Sequence, residues 1–227
     1  MRPHPHGHLE SSHAAGATID DRSVIRIVHA DPWLLVVDKP AGLLSVPGRG
    51  ADKADCVLAR LQRAHPEALL VHRLDEATSG LMVFARDAAG QRALGDAFAR
   101  RRVDKDYEAL VQGIVDGEAG TVALPLGADW PNRPRQQVDH VHGKPASTGW
   151  RVLARDVPGQ ATRVALKPIT GRTHQLRVHM AALGHPIRGD VLYGALPSTR
   201  VHLHAEHLGF VHPATGAALA FYSPAPF

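Results

Sequence analysis

The chain has 227 residues, 44% of them apolar and 21% charged, enough to bury a substantial core. Lys and Arg total 26 against 22 Asp and Glu, a net charge of +4, and the pI near 9.6 favours a polyanionic partner. The lone cysteine, Cys56, excludes an intrachain disulfide and a thiolate zinc site, no apolar run approaches the roughly 20 residues that span a bilayer, and no GxxxxGK[ST] loop marks an NTPase.

Residues 1–23 are rich in His, Gly, Ser and Pro and lack hydrophobic periodicity, so a solvated tail is expected there. Its His4, His6, His8 and His13 offer only adventitious metal binding. The segment has no apolar stretch of the secretory type, and with the single thiol this points to the cytoplasm. From Val24 the pattern changes. VIRIVHAD and WLLVVDKPAG read as two β segments broken at Asp31-Pro32. Residues 51–66 predict a helix that buries Val57, Leu58 and Leu61 and stops at Pro66. LLVHRL reads as a strand, DEATSG as a turn and LMVFA as the returning strand. Residues 88–102 predict a helix whose last turn is Arg100-Arg101-Arg102. KDYEALVQGIV alternates like a strand, and residues 116–149 are turn-rich with short strand-like pieces. WRVLAR and ATRVALKPI predict two more strands. THQLRVHMAALG predicts a helix opened by Thr170 or Gly171 and ended by Gly184. VHLHAEHLGFVHP and ALAFYSP predict the closing strands. Strands outnumber the three helices, which predicts an α+β fold on a mixed, mainly antiparallel sheet.

Several residues stand out chemically. In HRLDEATSG, residues 72–80, the carboxylate Asp75 sits between apolar segments, a costly place for a charge unless it is paired or functional. Arg73 lies on the same face if the strand continues. The same spacing also fits an aspartate that only caps a turn. In ITGRTHQLRVH, His174 and Arg177 fall on adjoining helix faces, and an arginine there could hold Asp75 ionised. A basic helix facing solvent has the same pattern. Tyr107 in KDYEALVQG shares a strand side with Lys105 and Ala109 and either stacks on a base or sits in the core. Six cations against three anions between Arg86 and Lys105, and Trp130, Arg133 and Arg135 in DWPNRPRQQ, fit an RNA-facing surface or an ordinary solvated one. His202, His204 and Glu206 share a strand side, but without an HExxH pattern or a thiol partner they predict no metal site.

Taken together these segments resemble the RluA family of RNA pseudouridine synthases. HRLDEATSG looks like the family's catalytic HRLDxxTSG motif and DKPAGLLSVPGR like its DKPxG motif. KDYEALVQG, GKPASTGW, LKPITGRTHQLRVH, LGHPIRGDVLYG and LHAEHLGFVHP follow in family order, so the resemblance runs from Val24 to Phe227. LPLGADWPNRPRQQV resembles the branch that modifies both tRNA and 23S rRNA. Many relatives carry an N-terminal S4 RNA-binding domain. Only residues 1–23 precede the catalytic region here, so none is expected.

The resemblance implies a fold with a catalytic cleft across the middle of the sheet. It implies Asp75 as the catalytic aspartate, Tyr107 as the tyrosine stacking on uracil and Arg177 as the cation paired with Asp75. It implies Arg73 as the residue that enters the RNA as the target nucleotide flips out, and Leu203 as an apolar residue closing the pocket. Arg172, His174, Trp130, Arg133 and Arg135 are expected to contact RNA. No cofactor is implied, because isomerising uridine involves no net redox change and no ATP. The implied partner is RNA, a 23S rRNA hairpin, a tRNA anticodon stem-loop or both, with no membrane and a monomeric enzyme. The competing expectation is an RNA-binding or folding protein on the same scaffold that no longer catalyses. Nucleoside or glycan hydrolysis is less favoured, since glycosidases generally use two carboxylates and the neighbour Glu76 should point elsewhere. Arg177→Ala is expected to cut turnover with little loss of fold.

Overall fold

Alternation and apolar runs dominate the chain, and the computed structural model turns them into one large sheet. It describes residues 25–50 and 53–227. The predicted tail, with its histidines, lies outside the described residues. Strands β1 (Arg26–Ala30), β2 (Leu34–Lys39), β3 (Leu69–Leu70), β4 (Ser79–Ala85), β5 (Asp104–Gln112) and β6 (Ala119–Val122) come from the first half. Strands β7 (Leu126–Ala128), β8 (Gln136–Val138), β9 (Thr148–Asp156), β10 (Ala161–Pro168), β11 (Leu203–Val211) and β12 (Ala218–Tyr222) follow. The main sheet runs β1-β2-β4-β11-β5-β10-β9-β6, with β12 beside β11 and β3 beside β4, while β7 and β8 form a separate hairpin. All pairings are antiparallel except β4 with β11. The sheet is therefore mixed and mainly antiparallel, as predicted.

Strands β2 and β4 are buried on both faces, which explains their unbroken apolar runs. Leu35, Val37, Met82 and Phe84 pack with Val57 and Leu61 of helix α1 (Val57–Gln62). Leu34, Val36, Leu81 and Val83 pack on the other face with Leu94 of helix α2 (Ala88–Ala99). Across the sheet, Ala109, Val111, Val164 and Leu166 pack against Leu176 and Met180 of helix α3 (Gln175–Ala182). Each such large side chain contributes roughly 1.5–3 kcal/mol by leaving water.

All three helices are shorter than predicted. Helix α1 starts only at Val57 because Cys56 bridges to Leu44 and its Sγ accepts from the Ala59 N–H. Helix α2 stops at Ala99, so Arg100, Arg101 and Arg102 lie past it rather than forming its last turn. Arg101 there adopts φ 57°, a left-handed turn closed by its N–H on the Phe98 carbonyl (3.1 Å). Helix α3 opens at Gln175, not Thr170, because the Gln175 amide oxygen accepts from Thr170 Oγ1 (2.7 Å) and from the Arg172 N–H (3.0 Å) and folds that stretch into a loop.

The β4–β11 contact leaves no room at Gly80. A Cβ there would lie 2.3 Å from the Ala205 carbonyl oxygen, and its φ is +115°. Gly80→Ala is expected to destabilise the fold by more than about 3 kcal/mol, strain and overpacking together. A urea midpoint within error of wild type would show that this seam tolerates separation.

Candidate active site

Asp75 stands on a turn whose backbone is fixed from three sides. Ser45 Oγ donates to the Leu74 carbonyl (2.7 Å) and accepts from the Leu74 N–H (3.1 Å). Lys39 Nζ donates to the Glu76 carbonyl (3.0 Å), which also accepts from the Gly42 N–H (2.8 Å). The Asp75 carbonyl itself accepts from the Thr78 N–H (3.1 Å). The DKPAGLLS segment thus holds the residues on either side of Asp75 and leaves its carboxylate free. Lys39 is completely buried, and burial pushes its ammonium down to about 7 against the opposing pull of Asp75 and Glu76.

The carboxylate enters a cavity of about 290 Å³ across the sheet. Of the residues predicted for the site, Arg73, Asp75, Tyr107, Arg172, His174, Arg177 and Leu203 all line it. Arg177 Nη1 approaches Asp75 to 3.5 Å, and His174 Nε2 to 3.9 Å. Leu203, on β11 opposite Ala109, and Tyr107 on β5 supply an apolar wall. Burial, and then the nearby Asp75 charge, raise the Tyr107 hydroxyl above its ordinary value, so its ring stays neutral. Glu76 is exposed and does not line the cavity, as expected.

Two residues that the sequence reading did not single out order this group. Asp190, 1% exposed, accepts from Arg177 Nε (2.6 Å) and Nη2 (2.8 Å), a bidentate pair that leaves Nη1 for Asp75. Tyr193 puts its ring 5.0 Å from the Arg177 guanidinium and its hydroxyl 2.6 Å from His174 Nδ1. That hydroxyl accepts from the Gln136 N–H (2.9 Å), so donating its own proton to Nδ1 leaves the imidazole proton on Nε2, toward Asp75. Burial lowers the His174 value, which favours this neutral form. Both residues come from GDVLYG, where an acid and a tyrosine in a Gly-bounded loop were the available signal.

Trp130, Arg133 and Arg135 do not line the cavity. They lie on the β7–β8 hairpin, which packs on α3 through Leu126 and Val138 and is tied to the site by the Gln136–Tyr193 bond. Trp130 is 68% exposed with the Arg133 guanidinium 3.6 Å over its ring, and Arg135 reaches within 5.9 Å of the Tyr193 ring. His204, considered as a ligand, has both ring nitrogens engaged, by Ser79 Oγ (2.7 Å) and the Ser223 carbonyl (3.0 Å). Asp104, Asp106 and His207 converge elsewhere, but the Lys167 ammonium already sits 2.7 Å from Asp104 and 3.5 Å from Asp106.

A family model described as RNA pseudouridylate synthase matches residues 33–182, two thirds of the chain and most of this cavity. The chain belongs to that family. It is 49% identical over 205 residues to the dual-specificity RNA pseudouridine synthase RluA of Escherichia coli strain K12, covering 88% of this chain and 93% of that one. It is 47% identical to the protein of the same name from Vibrio vulnificus, covering 88% and 83%. Among solved structures, human RNA pseudouridylate synthase domain containing 1 superposes with a TM-score of 0.76 at 31% identity, covering 90% of this chain and 85% of that one. Human RNA pseudouridylate synthase domain containing 4 gives 0.69 at 28%, covering 88% of each. The α+β pseudouridine synthase fold and the isomerase class expected from the motifs are therefore shown, with RNA as the substrate.

Proposed function

We propose that this RNA pseudouridine synthase uses Asp75 as its catalytic carboxylate and acts on uridines in both a tRNA anticodon stem-loop and a 23S rRNA hairpin. The observation that carries the site is the Asp190–Arg177–Asp75 line. An arginine locked in place by one buried carboxylate presents a single N–H to a second carboxylate that faces the cavity. Dual specificity is supported by the bacterial relatives, which are dual-specificity RNA pseudouridine synthases.

In the reaction the target uridine leaves its stack and enters the cavity, at a cost of a few kcal/mol. Tyr107 meets the uracil face and Leu203 closes the pocket, while the exposed Arg73 at the rim fills the space left in the RNA. Asp75 acts at the ribose as the N1–C1′ bond breaks, either by attack or by stabilising or deprotonating the sugar intermediate. The uracil turns, a C5–C1′ bond forms, C5 loses its proton and N1 gains one. Nothing is added or removed overall, so one carboxylate suffices where glycosidases generally need two. The enzyme is proposed to work as a cytoplasmic monomer.

RNA bearing tritium at C5 of uridine tests this reading directly. Wild type is expected to release tritium from both RNAs, and Asp75→Asn from neither. Tight binding without release by wild type would instead favour the non-catalytic RNA-binding alternative.

The hairpin and the end of α2 are proposed to carry phosphate contacts. Arg101→Glu and Arg135→Glu are expected to weaken RNA binding and to lower the slope of log K against log salt by about 1 each. An unchanged slope would place the RNA on another face.

A further inference from the structure

A second cavity of about 500 Å³ adjoins the catalytic one. The two share a wall: Phe98, Lys105, Pro168, Thr170, Gly171 and Arg172 line both. Side-chain contacts hold that wall in place. The Phe98 ring stacks on His72 with centroids 4.3 Å apart and planes at 22°, and His72 is anchored by accepting the Val83 N–H. The Lys105 ammonium stands 5.6 Å from the centre of the same Phe98 ring.

The charge of this cavity is one-sided. Arg101, Lys105, Lys167 and Arg172 line it against Asp104. Lys167 is committed to Asp104 and Asp106. Arg172 Nε donates to the Pro145 carbonyl (3.2 Å), and none of the other three cations makes an ion pair with a described residue. Arg101 stands in the left-handed turn, φ 57°, that closes the C-terminus of α2, with its own N–H on the Phe98 carbonyl and the Arg102 N–H on the Ala97 carbonyl (2.8 Å). Beside these charges lies Ile169, 46% exposed, an apolar surface next to cations. A phosphodiester with a base attached matches that pairing, whereas a protein acid would leave the apolar part unused.

We propose that this groove is a second nucleotide subsite, which takes the nucleotide adjoining the target uridine with its phosphodiester on Arg101 and Arg172 and its base against Ile169. It rests on the reading that the target uridine occupies the Asp75 cavity. Because contact is to backbone charge and one apolar face, the subsite grips without reading base identity. It anchors the strand within one nucleotide of the reacting one, where an anchor does most to hold the flipped conformation.

The test uses substrate hairpins in which one phosphate, immediately 5′ or 3′ of the target uridine, is replaced by a neutral methylphosphonate. Binding and single-turnover conversion are measured for wild type and Arg101→Gly. Glycine removes the guanidinium at a position whose backbone glycine adopts without strain, so the fold is retained. One of the two neutral linkages is expected to weaken wild-type binding roughly tenfold, as loss of a charge-assisted hydrogen bond does. Arg101→Gly is expected to bind the all-phosphate RNA about as weakly and to be indifferent to that linkage. Arg172→Ala, run in parallel, is expected to show the same loss of sensitivity. Wild-type indifference to both linkages, or penalties that multiply in the variants, would overturn the subsite. Conversion of the unmodified RNA by wild type checks the underlying reading separately, so intact conversion without coupling counts against the subsite alone.

Discussion

Asp75→Asn is expected to bind RNA like wild type and to convert none of it. The amide keeps the shape of the carboxylate but can neither attack C1′ nor stabilise positive charge on the sugar. Losses of about 10⁴-fold or more accompany removal of a nucleophile or its unit in other enzymes. The fold should barely notice. Arg177 keeps both oxygens of Asp190 when Asp75 is neutralised, so no buried cation is orphaned. Asp75 lies at the longer distance of 3.5 Å and is partly solvated, so the stability change should stay within about 1 kcal/mol. Single-turnover tritium release, filter binding and a thermal melt measured on one preparation check all three statements. Release near the wild-type rate would remove Asp75 from the chemistry.

Asp190→Asn should be costly in both stability and rate. Asp190 and Arg177 are buried together, and breaking such a pair from one side leaves a desolvated charge, at about 3–5 kcal/mol. Arg177 would then be drawn onto Asp75 and lose its fixed orientation. The same logic corrects the expectation that Arg177→Ala spares the fold, since it would strand Asp190 in the same way. A double replacement, Arg177→Met with Asp190→Leu, separates the two effects. It should recover most of the stability, because matched apolar side chains fill the site without charge. It should not recover turnover. A double variant that is stable and active would show that the pair serves only the fold.

What could be read from the sequence followed from pattern length. The fully buried β2 and β4 and the alternating β5 and β10 were legible because burial imposes a period on four or more residues. Helix ends were not. They depend on single side-chain bonds such as Gln175 to Thr170, which leave no periodic trace. Asp75, Tyr107 and Arg177 were candidates from local pattern alone, but each pattern also fitted an ordinary structural role; the motif resemblance gave them their roles and added Leu203, since their strands and helix meet only in three dimensions. Asp190, Tyr193, Lys39 and Ser45 lay in quoted motifs, yet their partners are 13 or more residues away and invisible in one dimension. Trp130, Arg133 and Arg135 were grouped correctly with one another, but the sequence did not reveal that their hairpin stands outside the cavity.

The place of β11 in the sheet has a bearing on how the protein is assembled. Strands β1, β2 and β4 form one block and β5, β10, β9 and β6 another, and β11 is the strand between them. Its contact with β4 joins residues 125 apart in sequence, as in Ser79 with His204. Pairings that distant form late, because a long loop must close before they gain anything. Until then β5 and the Ser79–Gly80 end of β4 present bare edges, a hazard for wrong association. Asp75 is delivered by the first block, Tyr107 by the second, and Leu203 by β11 itself. Closing the last gap in the sheet and creating the reaction centre are thus one event, and a partly assembled molecule has no competence to break a glycosidic bond.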